Sequence, residues 1–503
     1  MKKRIRLCGL YTLLFSLLAH GYRYLTLAFS GDSVLLSQAG EEAYQTALGR
    51  FLQPVYWQIR GVLTVPFLIG LFTTAFLFLT AWVLVSLFQL ERPLDIAILC
   101  GLVVTSETFA VSNAAYLPWT DVYALSLLFA VLGVAVFWRF RFGFLLSPFF
   151  FLVTLGLYQS YLPSAAAVMI LLLLVKALEG ERAGKLFVKG LQACFALLAG
   201  LLLYALTLRL LFLFTGSQAS DEYNGVGIVE LVEGSQVPRM LLQTYMTPVQ
   251  YLFVPSGGAV MPWHVRLTPV LLNLALLALA ALLIVFKARR LRPSSILLIL
   301  FLVGVLPLGM NFVQFIAKGM VSGLTIYAFN FFYVMVLVLA VPFRDAPQKP
   351  ARWAGRAASL LLCVFVGLNV IHSNQMSFKR DLEYQSTLSA MSRVLGRVEE
   401  TEGYVPGETP VVILGMLPSS HLAFHRPGFE AVSRQQGMRY PYAAAYETST
   451  PWYLQMALGT PIHLVDEMTR RQLSETPQAQ ALPVYPADGF TQMIDGMLYI
   501  RFN

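Results

Sequence analysis

Eleven long apolar runs alternate with short polar connectors along this chain, near residues 6–28, 62–89, 95–112, 122–138, 144–159, 163–178, 190–214, 267–286, 295–317, 325–342 and 357–373. Most reach the ~20 residues that carry a helix across ~30 Å of hydrocarbon. The third to sixth are shorter and fit short spans or half-buried helices. Beyond residue 373 the pattern changes. The tail 374–503 is long enough for a small domain. Its spacing predicts a helix over 380–402, a strand over 411–416, a helix over 451–458 and strands over 462–465, 481–484 and 497–500. The expected fold class is an all-α polytopic membrane domain of about 11 transmembrane helices over 1–373, with a small α/β domain over 374–503.

Charge orients this plan. The chain is 57% hydrophobic and 13% charged, with 36 Lys and Arg, 27 Asp and Glu and a net charge of +9. More than half of the basic residues fall in every second connector: 1–6, 90–95, 138–143, 176–190, 287–293 and 343–356. The positive-inside rule puts those connectors in the cytoplasm, together with the N-terminus, and the tail outside. An odd number of spans agrees. A cleaved signal peptide is the rival for the first run, but Leu17-Leu18-Ala19 is a poor cleavage site, so the run reads as an anchor. The basic excess therefore belongs to topology and anionic headgroups rather than to nucleic acid. No G-x-x-x-x-G-K-[ST] motif is present, which argues against a nucleotide-driven pump. Cys8, Cys100, Cys194 and Cys363 all fall within apolar runs and suit packing rather than disulfides.

Candidate chemistry gathers in the outer loops 30–61, 113–121 and 215–267. Asp32 follows the first span directly, and Glu41 and Glu42 come next. Leu48, Phe51, Leu52, Val55, Tyr56 and Ile59 then recur at helical spacing, as in an interfacial helix. Arg50 and Arg60 on it suit snorkelling to headgroups. Alternatively Arg50, with Gln53 and Tyr56 beside it, meets a lipid-borne phosphate, where Arg forms bidentate contacts. Asp121 stands at the mouth of the fourth span between Trp119 and Tyr123, as either a helix N-cap or an acid of a transfer site. Glu107 lies about 12 residues into the third span. Intramembrane carboxylates are functional or paired, and Arg209 is one available cation. Tyr158, Gln159 and Tyr161 form a tight outer turn suited to a sugar or to an aromatic belt. Lys318 closes the ninth span on the outside as a further phosphate candidate. The His421/His425 pair has no acidic partner in sequence, so no metal or other cofactor is indicated, though a divalent metal fits the chemistry.

The segments SGDSVLL, TALGRFLQPVYWQIRG, AAYLPWTDVYALSLLFAV, GLYQSYLP and the terminal YPADGFTQMIDGMLYIRFN, in that order and topology, resemble the polytopic glucosyltransferases of the Gtr group, which modify O-antigen and related wall polymers. The resemblance implies a GT-C-like fold with a polyprenyl-phosphate-linked sugar donor and an extracytoplasmic glycan acceptor. It also implies an acid in the first outer loop, at Asp32, with Asp121 as the second. Many relatives carry adjacent acids where this chain has Gly31-Asp32-Ser33, and Ser322-Gly323 stands where a His is expected. The expected function is transfer of a sugar, glucose by resemblance, at the outer face of the cell membrane. The rivals are a flippase or exporter of lipid-linked glycans, which needs a continuous polar path, and a non-catalytic scaffold for the tail.

Overall fold

The computed structural model describes residues 2–29, 41–216, 236–253, 267–289, 291–316, 321–417, 429–433, 437–438 and 449–503, with the isolated positions 218 and 234. Among these, eight helices are long and apolar enough to cross a membrane, or up to nine when one bent pair is taken as a single span. They include α1 (Lys2–Leu25), α4 (Pro66–Leu87), α7 (Thr120–Arg139, extended backwards by a 3-10 turn), α9 (Leu162–Leu178), α10 (Ala183–Thr215), α12 (Leu267–Ala288) and α13 (Pro293–Asn311). Two further apolar helices are shorter: α8 (Gly143–Leu157) and the segment Tyr327–Phe343, which contains α14 (Phe331–Ala340). Between α1 and α4 lie the short α2 (Glu41–Ala47) and α3 (Leu52–Arg60). An amphipathic helix, α11 (Val237–Phe253), packs against α12 and α13. The bundle is polytopic and helical, as the apolar runs predict.

The surface is apolar where a soluble protein would be polar. Leu10, Leu13, Leu14, Leu17 and Leu18 of α1 and Leu202, Leu206, Leu213 and Phe214 of α10 are exposed. Such a girdle is stable in hydrocarbon, where every backbone group must be paired inside the protein.

The third apolar run is not one straight helix. α5 (Pro93–Val104) and α6 (Glu107–Ala115) meet at 43° across Thr105 and Ser106. Ser106 caps α6, its Oγ accepting the Phe109 amide at 3.4 Å. The break frees the last carbonyls of α5, and side chains from two other segments, the turn Tyr327–Asn330 and α1, meet them. Asn330 donates to Leu102, the Tyr327 hydroxyl donates to Val103 at 3.3 Å, and His20 Nε2 lies 3.0 Å from the Val104 oxygen. At the far end of α6, Arg23 donates to the Asn113 carbonyl and Arg380 to that of Ala114. The orphan groups of both helix ends are thus met by side chains.

One end of the bundle carries the ion pairs Arg4–Glu91, Arg92–Asp345 and Arg344–Asp95, which tie together three of the basic connectors. The opposite end carries α2, α3, the end of α6 and the start of α7.

The long helix α15 (Lys349–Glu399) runs 51 residues without interruption through the anticipated boundary at residue 373. Its last third packs on a four-stranded sheet of order β2-β1-β4-β3: β1 (Pro410–Leu414), β2 (His463–Leu464), β3 (Thr491–Ile494) and β4 (Met497–Arg501). β1 is parallel to β2 and β4, while β3 and β4 form an antiparallel hairpin. Val411 and Ile413 face Ala390, Met391, Val394 and Val398 of α15. Val412 and Leu414 face Ala479 and Leu482 on the other side. The period of two along β1 places its core on both faces. Predicted strand 481–484 is absent. Residues up to Ala481 end a short helix, and Pro483 has no amide hydrogen for a ladder.

Candidate active site

Helix α3 sets the site. Its buried residues are Gln53, Tyr56, Trp57 and Arg60, a stripe at one face of the helix, while Val55 and Ile59 are exposed. This inverts the pattern of a water-soluble helix. The apolar side suits lipid, and the polar and aromatic side turns inward. Arg50 and Arg60 therefore do not reach out to headgroups. Both are buried, at 7% and 6% exposure.

Asp121, in the first turn of α7, is fully buried. It is not an N-cap; that position is Trp119, which makes no side-chain cap. Two hydrogen bonds and one ion pair hold its carboxylate. The Tyr56 hydroxyl donates to Oδ2 at 2.8 Å, the Val122 amide donates to Oδ1 at 3.0 Å, and Arg60 Nε lies 3.4 Å from Oδ2. Burial pushes the Tyr56 phenol up, and the Asp121 charge adds to this, so Tyr56 remains a donor.

A second cluster adjoins through the same short helices. Arg50 Nη1 donates to Gln45 Oε1 at 3.0 Å, and its guanidinium lies 4.8 Å from the centre of the Tyr158 ring. Gln45 in turn donates to Glu41, whose carboxyl is pushed up by burial although Gln45 and Arg50 pull it down. Gln53 donates to the Leu157 carbonyl at 2.7 Å. Gln159 donates to Leu48 O at 2.9 Å and to the Tyr204 hydroxyl at 3.0 Å, and Tyr204 donates to Gly49 O at 3.1 Å. The turn Tyr158 to Tyr161 is buried, not an exposed belt. Its rings join Tyr123 and Tyr327, with Tyr123 and Tyr158 centroids 4.5 Å apart and Tyr161 and Tyr327 centroids 5.6 Å apart.

Of the residues expected from sequence, Arg50, Gln53, Tyr56, Asp121, Tyr158 and Gln159 all fall in this connected region. Glu107 stands apart at the break of α5 and α6. Arg209 is exposed and is not its buried partner. Tyr251 is its hydrogen-bond neighbour. Tyr333 donates to Asn273 at 3.0 Å. Asp32, Lys318, His421 and His425 lie outside the described residues. No group of three or more His, Cys, Asp or Glu suited to a metal ion occurs among the described residues.

Arg60 is the residue sequence reasoning placed wrongly. The signal was there: Gln53, Tyr56, Trp57 and Arg60 recur at i, i+3, i+4 and i+7, the spacing of one helix face.

The arrangement is a buried carboxylate beside a buried guanidinium, with amides and phenols around it. It suits an anionic, hydroxyl-rich ligand. A family model described as Glucosyl transferase GtrII matches residues 35–343, more than half of the chain and the whole of this region. No curated protein and no solved structure matches the chain.

Proposed function

The chain belongs to the GtrII glucosyl transferase family, and from that premise we propose that it moves glucose from a polyprenyl-phosphate donor to a glycan on the outer face of the cell membrane. The observation that carries this reading is the buried Asp121–Tyr56–Arg60 group at the end opposite the basic connectors, inside the matched range. In this reading all eleven apolar runs cross or line the membrane in a GT-C-like arrangement over 1–373. The N-terminus is cytoplasmic, and the region 374–503 is an extracytoplasmic domain. The donor is made elsewhere and reaches the site already facing outward.

The chemistry is a single displacement. The acceptor hydroxyl attacks the anomeric carbon, and its proton passes to the Asp32 carboxylate. The bond from that carbon to the phosphate oxygen breaks, and the electron pair leaves with the phosphate. Arg50 and Lys318 hold that phosphate. Gln53, Tyr158 and Gln159 position the sugar, and Glu107 lies deeper along its approach. Asp121 is the second acid of the site.

The test is a transfer assay with the purified full-length protein, polyprenyl-phosphate glucose and wall-polymer or O-antigen acceptors. Glucosylated acceptor and free polyprenyl phosphate in equal amounts are expected. Absence of transfer from every polyprenyl-phosphate sugar, by protein that is folded and monodisperse, would overturn the donor assignment.

A further inference from the structure

Four buried arginines stand at the same end of this bundle, and Arg60 differs from the other three, of which Arg50 donates to Gln45. Arg23 is saturated on two nitrogens, donating to Asn113 O at 2.9 Å and Thr26 O at 3.2 Å. Arg380 donates to Ala114 O and Gly437 O and pairs with Glu383 at 2.9 Å. Arg60 has only the 3.4 Å approach of Nε to Asp121, yet its side chain is 1% exposed. Its Nη1 and Nη2 have no hydrogen-bond acceptor. Neighbouring donors share the condition. The indole nitrogen of Trp57, one turn earlier on the same buried face, has no acceptor, nor has that of Trp119, two residues before Asp121. Buried donors are ordinarily paired, and an unpaired one carries a desolvation cost. Buried open donors on the same face as a guanidinium suit an anionic ligand.

We infer that Arg60 is a ligand of the donor's phosphate, and that Asp121 is its positioning residue. Asp121 is fixed by Tyr56 and by the Val122 amide, so it is a rigid stop for the Nε edge of Arg60. That leaves the planar Nη edge free, the edge that grips a phosphate bidentately. The inference rests on the proposed donor and deepens it. As the anomeric bond breaks, the phosphate passes from a singly charged diester to a doubly charged monoester. A guanidinium held in place before the reaction binds the second form better, so it accelerates departure rather than merely retaining the donor. Asp121, expected from sequence as a second acid, acts through Arg60.

The test uses full-length protein in detergent or nanodiscs, with Arg60→Ala and Arg60→Lys made side by side. Size exclusion and thermal stability check that each is folded; Arg60→Lys stands as the fallback where Arg60→Ala is not. Farnesyl phosphate, farnesol and inorganic phosphate are the binding probes. Arg60→Ala is expected to weaken farnesyl phosphate by about tenfold or more and to leave farnesol unchanged, with Arg60→Lys between. In transfer, kcat should fall more than donor KM rises, and guanidinium salt at sub-denaturing concentration should restore part of the Arg60→Ala rate. Unchanged farnesyl phosphate binding in the folded variants overturns the inference. So does equal weakening of farnesol, which marks a structural role, or tight Arg60-dependent binding of inorganic phosphate alone, which marks a free-phosphate site. If the wild type binds farnesyl phosphate through Arg60 but transfers no sugar, the phosphate site stands and the transferase reading fails.

Discussion

Removing either member of the Asp121–Arg60 pair should not have equal effects on stability. Asp121→Asn abolishes the charge that faces Arg60 at 3.4 Å. The guanidinium, whose nitrogens have no hydrogen-bond acceptor already, then also loses the counter-charge beside it. Two unit charges about 4 Å apart attract by roughly 4 kcal/mol at an effective dielectric near 20. Stranding one partner of a buried pair typically costs ~3–5 kcal/mol. Arg60→Met strands much less. Asp121 keeps the Tyr56 hydroxyl at 2.8 Å and the Val122 amide at 3.0 Å. The expected cost of Arg60→Met is therefore about 2 kcal/mol or less, since only the longest of three contacts is lost. The double variant leaves no buried charge, so it should be more stable than Asp121→Asn alone. Unfolding of purified protein by SDS titration in mixed micelles measures all three, and the double-mutant cycle isolates the coupling. An Arg60→Met cost equal to or above that of Asp121→Asn, or strictly additive costs, would refute this account of who holds whom.

Four other outcomes are expected. Asp32→Asn keeps shape but removes the proposed base and should lower transfer by ~10²–10⁴-fold at normal expression; wild-type transfer would exclude it as the proton acceptor. Arg50→Lys loses the planar contact over Tyr158 and the Gln45 bond, so donor affinity should drop while acceptor dependence holds; titrating the donor at saturating acceptor reads this. A cysteine at the exposed Glu400 should react with an impermeant maleimide in intact cells, whereas one at Ala288 should not, and equal protection of both would reverse the topology. Gly70→Ala puts a Cβ 2.4 Å from Tyr24 Cγ where α4 crosses α1 and should destabilise by ~1–3 kcal/mol, whereas Gly367→Ala meets nothing within 4 Å and should be neutral or stabilising in thermal unfolding.

The apolar runs were legible because hydrocarbon imposes length, and every run of eleven coincides with a helix or a bent helix pair. The bend at Thr105 and Ser106 was not, because it is stabilised by Asn330, Tyr327 and His20, each remote in sequence. Asp121 was recognisable as an acid at a span mouth, but its partners come from α3 and its own turn, and only folding brings Tyr56 and Arg60 to it. The interfacial character of α3 was legible, but apolar periodicity does not tell whether the polar face meets headgroups or, as here, turns into the protein. In the tail, the hairpin of β3 and β4 was overlooked although Asp495-Gly496 carries the turn signal; φ is 49° and 76° at these two residues.

The unbroken α15 makes the last region a fixed gauge rather than a tethered accessory. At about 1.5 Å per residue, 51 residues give a rod of roughly 77 Å, well over twice the hydrocarbon thickness. A rod has no slack, so the sheet is held at one height and one azimuth above the bundle. Two residues inserted after Gln385 would swing the sheet about 200° around the rod, while seven would nearly restore its azimuth and lift it by about 10 Å. Phase along this helix, more than length, is therefore what evolution or an engineer must conserve to keep the sheet in a set orientation on the bundle.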